Sequence, residues 1–258
     1  MPSVDLNADM GESFGPWVMG QDEALLKVIT SANIACGMHA GDWDVMAATL
    51  RTAVAQGTGI GAHPGFPDLQ GFGRRRMDMP RDSLRNLVAY QLGAAQAMAR
   101  IAGGAVRHLK LHGALANMCA EDAELARAAY DGALGVDPDI IVMVLAGTRQ
   151  QEAVEALGCR WAGEIFSDRA YNDDATLVDR RLPGAVIHDA ARAAERMVRM
   201  VEAGAIITES GRRIPAAVDT ICLHGDGKTA LQIAREVRVA LEVSGVTLQV
   251  FEGRTGRA

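Results

Sequence analysis

The chain has 258 residues, with 26 Lys and Arg against 32 Asp and Glu and a formal net charge of −6. That length suits one large core, and the acidic balance argues against a general polyanion-binding surface, so nucleic acid is not an expected partner. No stretch approaches the roughly 20 apolar residues of a membrane span, and the opening MPSVDLNADMGE lacks the basic and apolar regions of a secretory signal. Membrane contact is therefore not expected, and the cytoplasm is the expected location. Cys36, Cys119, Cys159 and Cys222 are dispersed with no CxxC pair, which fits reduced thiols and gives no zinc-finger or disulfide spacing.

Apolar residues make up 49% of the chain and aromatic residues only 4%, and the repeating unit is a short apolar run, a polar or Gly-rich break and an Ala-rich segment of helical period. This is the pattern of βα units. In chain order the predicted strands are Val4–Ala8, Ala32–Cys36, Gly59–His63, Val106–His112, Ile140–Leu145, Arg160–Phe166 and Asp219–His224. The predicted helices are Asp22–Thr30, Trp43–Gln56, Arg81–Ala102, Ala120–Leu134, Thr148–Leu157, Asp189–Ala203 and Lys228–Val243. Asp42 and Asp189 suit N-caps, and Gly57, Gly103, Gly158 and Gly204 suit C-caps. Runs apolar on both faces, such as 140–145, belong to parallel strands covered by helices. Seven such units favour a (β/α)7-like barrel, an irregular α/β TIM-type barrel spanning residues 1–258 as a single domain, with a doubly wound sheet as the alternative.

The unusual polar residues recur at one place in the repeat. Asn7, Asp9 and Glu12 follow the first strand; Asn33, His39 and Asp42 finish or follow the second; His63 ends the third. Lys110 and His112 close the fourth, Glu164, Asp168 and Arg169 the sixth, and His224 and Asp226 the seventh. In parallel barrels these ends converge on the ligand-binding face. Each residue has an ordinary alternative. Asp9 and Glu12 would serve as caps or turn residues, and any one of His39, His63, His112 and His224 as a hydrogen-bonded core histidine. Their recurrence at equivalent positions favours function. Lys110 sits in an apolar strand, where an unpaired ammonium is costly, so a paired site lysine is expected there. Arg74-Arg75-Arg76 is either a solvated loop or a local anion site.

There is no G-x-x-x-x-G-K-[ST] loop, no G-x-S-x-G elbow and no H-E-x-x-H. A metal held by Asp9, His39 and His63 is open, because such ligands need not be close in sequence.

The motifs that carry these residues are Asp5-Leu-Asn-Ala-Asp-Met-Gly-Glu-Ser-Phe-Gly15, Ser31-Ala-Asn-Ile-Ala-Cys-Gly-Met-His-Ala-Gly-Asp42, Gly61-Ala-His-Pro-Gly-Phe-Pro-Asp68 and Gly71-Phe-Gly-Arg-Arg75. Lys110-Leu-His-Gly-Ala-Leu-Ala-Asn117, Glu164-Ile-Phe-Ser-Asp-Arg-Ala-Tyr171, Leu182-Pro-Gly-Ala-Val-Ile187 and Cys222-Leu-His-Gly-Asp226 follow. In this order, over nearly the whole chain, they resemble the LamB/YcsF family. Three positions depart from the family pattern: Leu111 for Pro, Ala116 for Tyr and Ser167 for Ala. Ala116 would widen an edge of the pocket.

The resemblance implies a (β/α)7-like barrel and one component of a three-part 5-oxoprolinase. It would open the lactam 5-oxo-L-proline to L-glutamate with hydrolysis of ATP, in a complex with subunits B and C. ATP, with Mg, would be consumed by the assembly, since this chain has no nucleotide motif. Asp9, Glu12, His39, His63, Lys110 and His112 are the expected catalytic set. Asn7, Asn33, Asp42, Arg74, Arg75, Asn117, Glu164, Asp168, Arg169, Tyr171, His224 and Asp226 are the expected substrate-binding set. One of Asp9, Glu12, His39 and His63 would deprotonate water, and His112 would protonate the ring nitrogen. Lys110, with backbone N–H groups near Gly113 or Gly225, would stabilise developing negative charge, and Arg74 or Arg169 would hold the substrate carboxylate. Two other readings compete: a metal-dependent deacetylase-like hydrolase of a small amide or carbohydrate, and a non-catalytic lactam-binding subunit.

Overall fold

The strands that build the site are short and apolar on the face turned to the helices. The computed structural model describes residues 2–224 and 229–255. Its elements in order are β1 (Ser3–Met10), α1 (Asp22–Leu25), β2 (Ser31–Ala35), α2 (Trp43–Gln56), β3 (Gly59–His63), α3 (Arg81–Ile101), β4 (Val106–Lys110), α4 (Gly113–Glu121), α5 (Ala123–Val136), β5 (Ile141–Leu145), α6 (Arg149–Leu157), β6 (Arg160–Phe166) and α7 (Ala190–Ala203). A hairpin of β7 (Ala205–Ile207) and β8 (Arg213–Pro215) follows, then β9 (Thr220–Cys222), α8 (Ala230–Val243), β10 (Thr247–Leu248) and β11 (Arg254–Thr255).

Six strands, β1 to β6, pair in sequence order, and β9 pairs with both β6 and β1, so seven parallel strands close into a barrel. The closed ring excludes the doubly wound sheet. At the barrel's N-terminal end β10 extends β1 in parallel and β11 joins β6 antiparallel.

Local chemistry explains most boundaries. Asp42 accepts from the amides of Asp44 and Val45 to start α2, and left-handed Gly57 ends it. Asp189 starts α7 and left-handed Gly204 ends it. The helix expected at Ala120–Leu134 is two helices, because Asp122 leaves the helical region and caps α5 through the amides of Glu124 and Leu125. The helix expected over Asp22–Thr30 is only the short α1. The β7–β8 hairpin has no counterpart among the predicted elements.

Alternate residues of a strand face the same side. The outward set, such as Leu6, Ala8, Ile34, Ala62 and Val142, joins the helices in one large apolar shell. The inward set is of two kinds. Ile141, Met143 and Ala162 form a separate cluster with Phe251, and the Phe251 ring lies 5.2 Å from that of His108. Beside them is a hydrogen-bonded array. Asp5 accepts from the hydroxyls of Thr30, Ser31 and Thr220, and Asn33 donates to Asn7 at 2.7 Å. The His108 Nε2 atom reaches Asn33 Oδ1 at 2.8 Å. It can do so only because β3 carries Gly61, where a Cβ would lie 2.1 Å from that nitrogen.

Candidate active site at the C-terminal end of the barrel

Residues two apart on one strand climb the same wall, so β1 presents Asp5, Asn7 and Asp9 and β4 presents His108 and Lys110. At the top of this ladder Lys110 Nζ lies 2.9 Å from Asp9 Oδ1 and 2.8 Å from Glu164 Oε1. It also reaches Asn7 Oδ1 at 3.3 Å and the Cys222 sulfur at 3.1 Å. Burial alone would depress the ammonium, but the surrounding groups, Asp9 foremost, outweigh it and raise the Lys110 pKa well above its usual value. Burial likewise disfavours the Asp9 carboxylate, yet His63 and Lys110 hold it well below its ordinary range. Glu164 goes the other way, raised by burial against the pull of Lys110. Two carboxylates on one ammonium are thus pushed apart in acidity, an arrangement that divides acid and base roles.

Beside this triad stand three imidazoles. His39 and His112 stack with ring centroids 3.6 Å apart, and His63 meets both edge-on. The His63 Nδ1–H donates to the Lys110 carbonyl and the His112 Nε2–H to the Phe72 carbonyl, each at 2.8 Å. His63 Nε2 lies 2.9 Å from His112 Nδ1 and 3.2 Å from Asp9 Oδ2. Glu12 Oε1 is 3.5 Å from His39 Nε2 and 3.7 Å from His112 Nδ1. Burial pushes His39 well below the usual imidazole value and His112 down to about 3. The loop after β3 presses on these rings: Phe72 and Gly73 both take positive φ, and a Cβ on Gly73 would lie 2.7 Å from atoms of both His39 and His112.

A cavity of about 730 Å³ opens above, within the range of small-molecule sites. Asp9, Glu12, His63, Lys110, His112 and Glu164 form its inner end, and Arg74, Asn117, Arg169 and His224 lie on its walls. The Arg74 guanidinium sits 4.7 Å from the centre of the Phe72 ring. Arg169 also donates to the carbonyls of Val178 and Ala185, bracing the loop between β6 and α7. His224 Nδ1 binds the Asp168 carboxylate at 2.6 and 2.8 Å. Although burial opposes ionisation, His224 holds Asp168 below its usual range.

The structure moves several expected site residues elsewhere. Asp42 caps α2 and accepts from the Gly15 amide outside the cavity, because the turn after β2 aims its side chain at the helix. Arg75 is exposed and ion-paired with Asp68. Tyr171 is buried, its hydroxyl accepting from the Phe166 amide at 2.8 Å, so it braces β6. Asn7 and Asn33 lie inside the barrel under the cavity as partners of Lys110 and Asp9. His39 stands behind His112 and does not line the cavity. Asp226, like Gly225, lies outside the described residues. For a metal, the ligand-type atoms group as Glu12, His39, His63 and His112, with Asp9 instead beside Cys222 and His224. Sequence reasoning missed Phe72, Phe166, Arg180 and Arg181 on the cavity wall. The Arg180-Arg181 pair just before Leu182-Pro-Gly was a signal that could have marked the last two.

Comparison with known proteins identifies the family and the fold. The model of the LamB/YcsF family matches residues 4–256. A Ruegeria pomeroyi protein named as the A subunit of 5-oxoprolinase is 71% identical over 98% of this chain and 100% of its own length. A Rhodopseudomonas palustris (strain BisA53) protein of the same name is 51% identical over 97% and 99%. Among solved structures, the lactam utilization protein from Thermus thermophilus superimposes with a TM-score of 0.91 at 40% identity, covering 96% of this chain and 100% of that one.

Proposed function

This chain belongs to the LamB/YcsF family, and on that premise we propose that it is the A subunit of a 5-oxoprolinase and carries the hydrolytic site for the lactam. The observation that carries the reading is Lys110 held between Asp9 and Glu164 at the inner end of the arginine-walled cavity.

A five-membered lactam resists water because its amide is resonance-stabilised. Transfer of a phosphoryl group from ATP to the amide oxygen removes that resonance and makes the carbon electrophilic. Water adds to this carbon, the ring nitrogen departs as the amine, and an acyl phosphate remains; a second water cleaves it to L-glutamate and phosphate. The sequence has no G-x-x-x-x-G-K-[ST] motif, and we assign ATP, with its Mg, to subunits B and C. Glu164, whose pKa burial raises against the pull of Lys110, is the group suited to take a proton from water. Lys110 stabilises the negative charge that develops on the oxygen. Arg74 and Arg169 face the substrate carboxylate and the phosphoryl group, where their planar forks match either anion. His224, fixed by Asp168, lies on the same wall and supplies the proton for the departing nitrogen, a role the sequence alone placed on His112.

We place the protein in the cytoplasm, a reading supported by its four buried cysteines, all free thiols. Among the described residues no helix is long and apolar enough to cross a membrane. The test of function is ATP-dependent release of glutamate from 5-oxoproline by this chain with and without subunits B and C. The reading predicts turnover only in the assembly; full turnover by this chain alone, or none in the assembly, sinks it.

A further inference from the structure

The side chains beneath the cavity form a run of hydrogen bonds whose direction is fixed by its ends. The Lys110 ammonium can only donate, so the Asn7 atom it meets at 3.3 Å is the carbonyl oxygen, and the Asn7 amide nitrogen faces the Thr220 hydroxyl, 2.7 Å away. The Asn7 side chain also donates to Glu164, which favours the carboxylate there. The Asn33 amide nitrogen donates to Asn7 Oδ1 at 2.7 Å and to Asp9 Oδ1 at 3.0 Å, two atoms that only accept. That leaves the Asn33 carbonyl oxygen for His108 Nε2 at 2.8 Å, and the hydrogen in this bond must come from the imidazole. His108 Nδ1 is buried with no hydrogen-bond partner among the described residues, so a proton there would meet no acceptor. Burial pushes the His108 pKa down to about 3; the ring is therefore neutral and carries its one proton on Nε2.

We propose that His108 is a positioning residue for the hydrolytic site, its Nε2–H holding Asn33 so that the Asn33 amide nitrogen is aimed at Asp9 and Asn7. The assignment rests on the lactam-hydrolysis reading. His108 lies below the cavity and does not line it, so it acts only through other groups. Asp9 Oδ1 receives Asn33 and Lys110 together, and Asn7 passes the same direction on to Lys110 and Glu164. An imidazole protonated on Nδ1 instead would set a lone pair against the Asn33 oxygen. Turning Asn33 round to relieve that repulsion would aim its oxygen at the Asp9 carboxylate and at Asn7 Oδ1. The fold reserves the place of the ring: it fills the space that any side chain at Gly61 would need, and the Phe251 ring packs against it edge-on. A histidine among the buried strand residues thus helps to set the charge state of the groups two residues above it.

The test has one arm without turnover and one with it. In the full chain labelled with nitrogen-15 histidine, NMR at neutral pH is expected to show His108, identified by its loss in His108→Gln, as the Nε2–H tautomer. In the assembly with subunits B and C, His108→Met is expected to lower kcat for glutamate release roughly 3- to 10-fold with KM little changed. It is also expected to move the acid limb of kcat/KM to higher pH by about half a unit or more, because Glu164 and Asp9 lose firmly held donors that favour their carboxylates. His108→Gln, whose amide N–H can stand where Nε2 does, is expected to restore both. A purely structural role would lower the yield of folded protein without moving the limb. An Nδ1–H tautomer, an unshifted limb in His108→Met, or a Gln variant no better than Met overturns the proposal. If the wild-type assembly releases no glutamate, the lactam reading fails by itself. The tautomer then decides the positioning, with the Asn33 side-chain amide signal, which is expected to move in His108→Met and return in His108→Gln. Should His108→Met not fold, the tautomer and the pH profile of His108→Gln decide.

Discussion

One barrel encloses two chemical regimes. At its N-terminal end the interior holds Ile141, Met143, Ala162 and Phe251 beside Asp5, whose carboxylate is enclosed by three hydroxyls. At its C-terminal end the same strands offer Asp9, Lys110 and Glu164, whose charges are held against one another next to open space. The difference is a step of two or four residues along β1 and β4: Asp5 against Asp9, His108 against Lys110. An acid becomes a structural or a chemical group according to what encloses it. Complete hydrogen bonding fixes the first; a place beside the open cavity frees the second.

That contrast breaks most readily at Lys110. Lys110→Met in the reconstituted complex is expected to lower kcat for glutamate release by roughly 100- to 1,000-fold, with kcat and KM read separately; wild-type kcat would erase the distinction between the two ends. Phe251→Ala should act at the other end, costing about 3–5 kcal/mol through a cavity in the lower core while the upper site stays in place. Urea unfolding measures it, and a cost below about 1 kcal/mol would show that this end is not packed.

The pH dependence sharpens the comparison. Burial pushes His108 down to about 3, so between pH 6.5 and 3 the unfolded chain binds a proton that the fold refuses, and stability falls as pH is lowered. Burial raises Asp5 to about 6, so between pH 6 and 3.8 the fold binds a proton that the unfolded chain does not, and stability rises as pH is lowered. The two slopes oppose each other between pH 6 and 3.8, each about 1.4 kcal/mol per pH unit at most. Asp5→Asn should therefore lose stability on acidification through that window more steeply than the wild type; parallel profiles in urea unfolding would sink the account. Smallest is Asp42→Ala, expected to lower stability by about 1 kcal/mol through loss of the α2 cap and to leave kcat/KM unchanged, since Asp42 is outside the cavity.

Strand and helix placement was largely legible because burial on both strand faces and the Asp and Gly caps are local signals. Closure through β9, with only three residues, depends on pairing with β1 and β6 at once, which no local pattern displays. The same limit separates the site residues. The motifs located Lys110, Glu164 and His63 at strand ends, where parallel strands fix the direction of the side chain. Asp42, Arg75 and Tyr171 lie in turns beyond the strands, and there a position near the site says nothing about where a side chain points. His108 illustrates the converse, hidden in an apolar strand until Gly61 is seen to admit its ring.

The Phe251 plug has a consequence for traffic. With the lower interior filled by side chains, molecules reach the inner end of the cavity through its upper mouth. On the proposed reaction, lactam, water, phosphate and amino acid would share one doorway, and an exit would have to clear before the next entry. The order of arrival and departure is written into the shape of the vessel, and a partner protein seated on that mouth would hold the key to the queue.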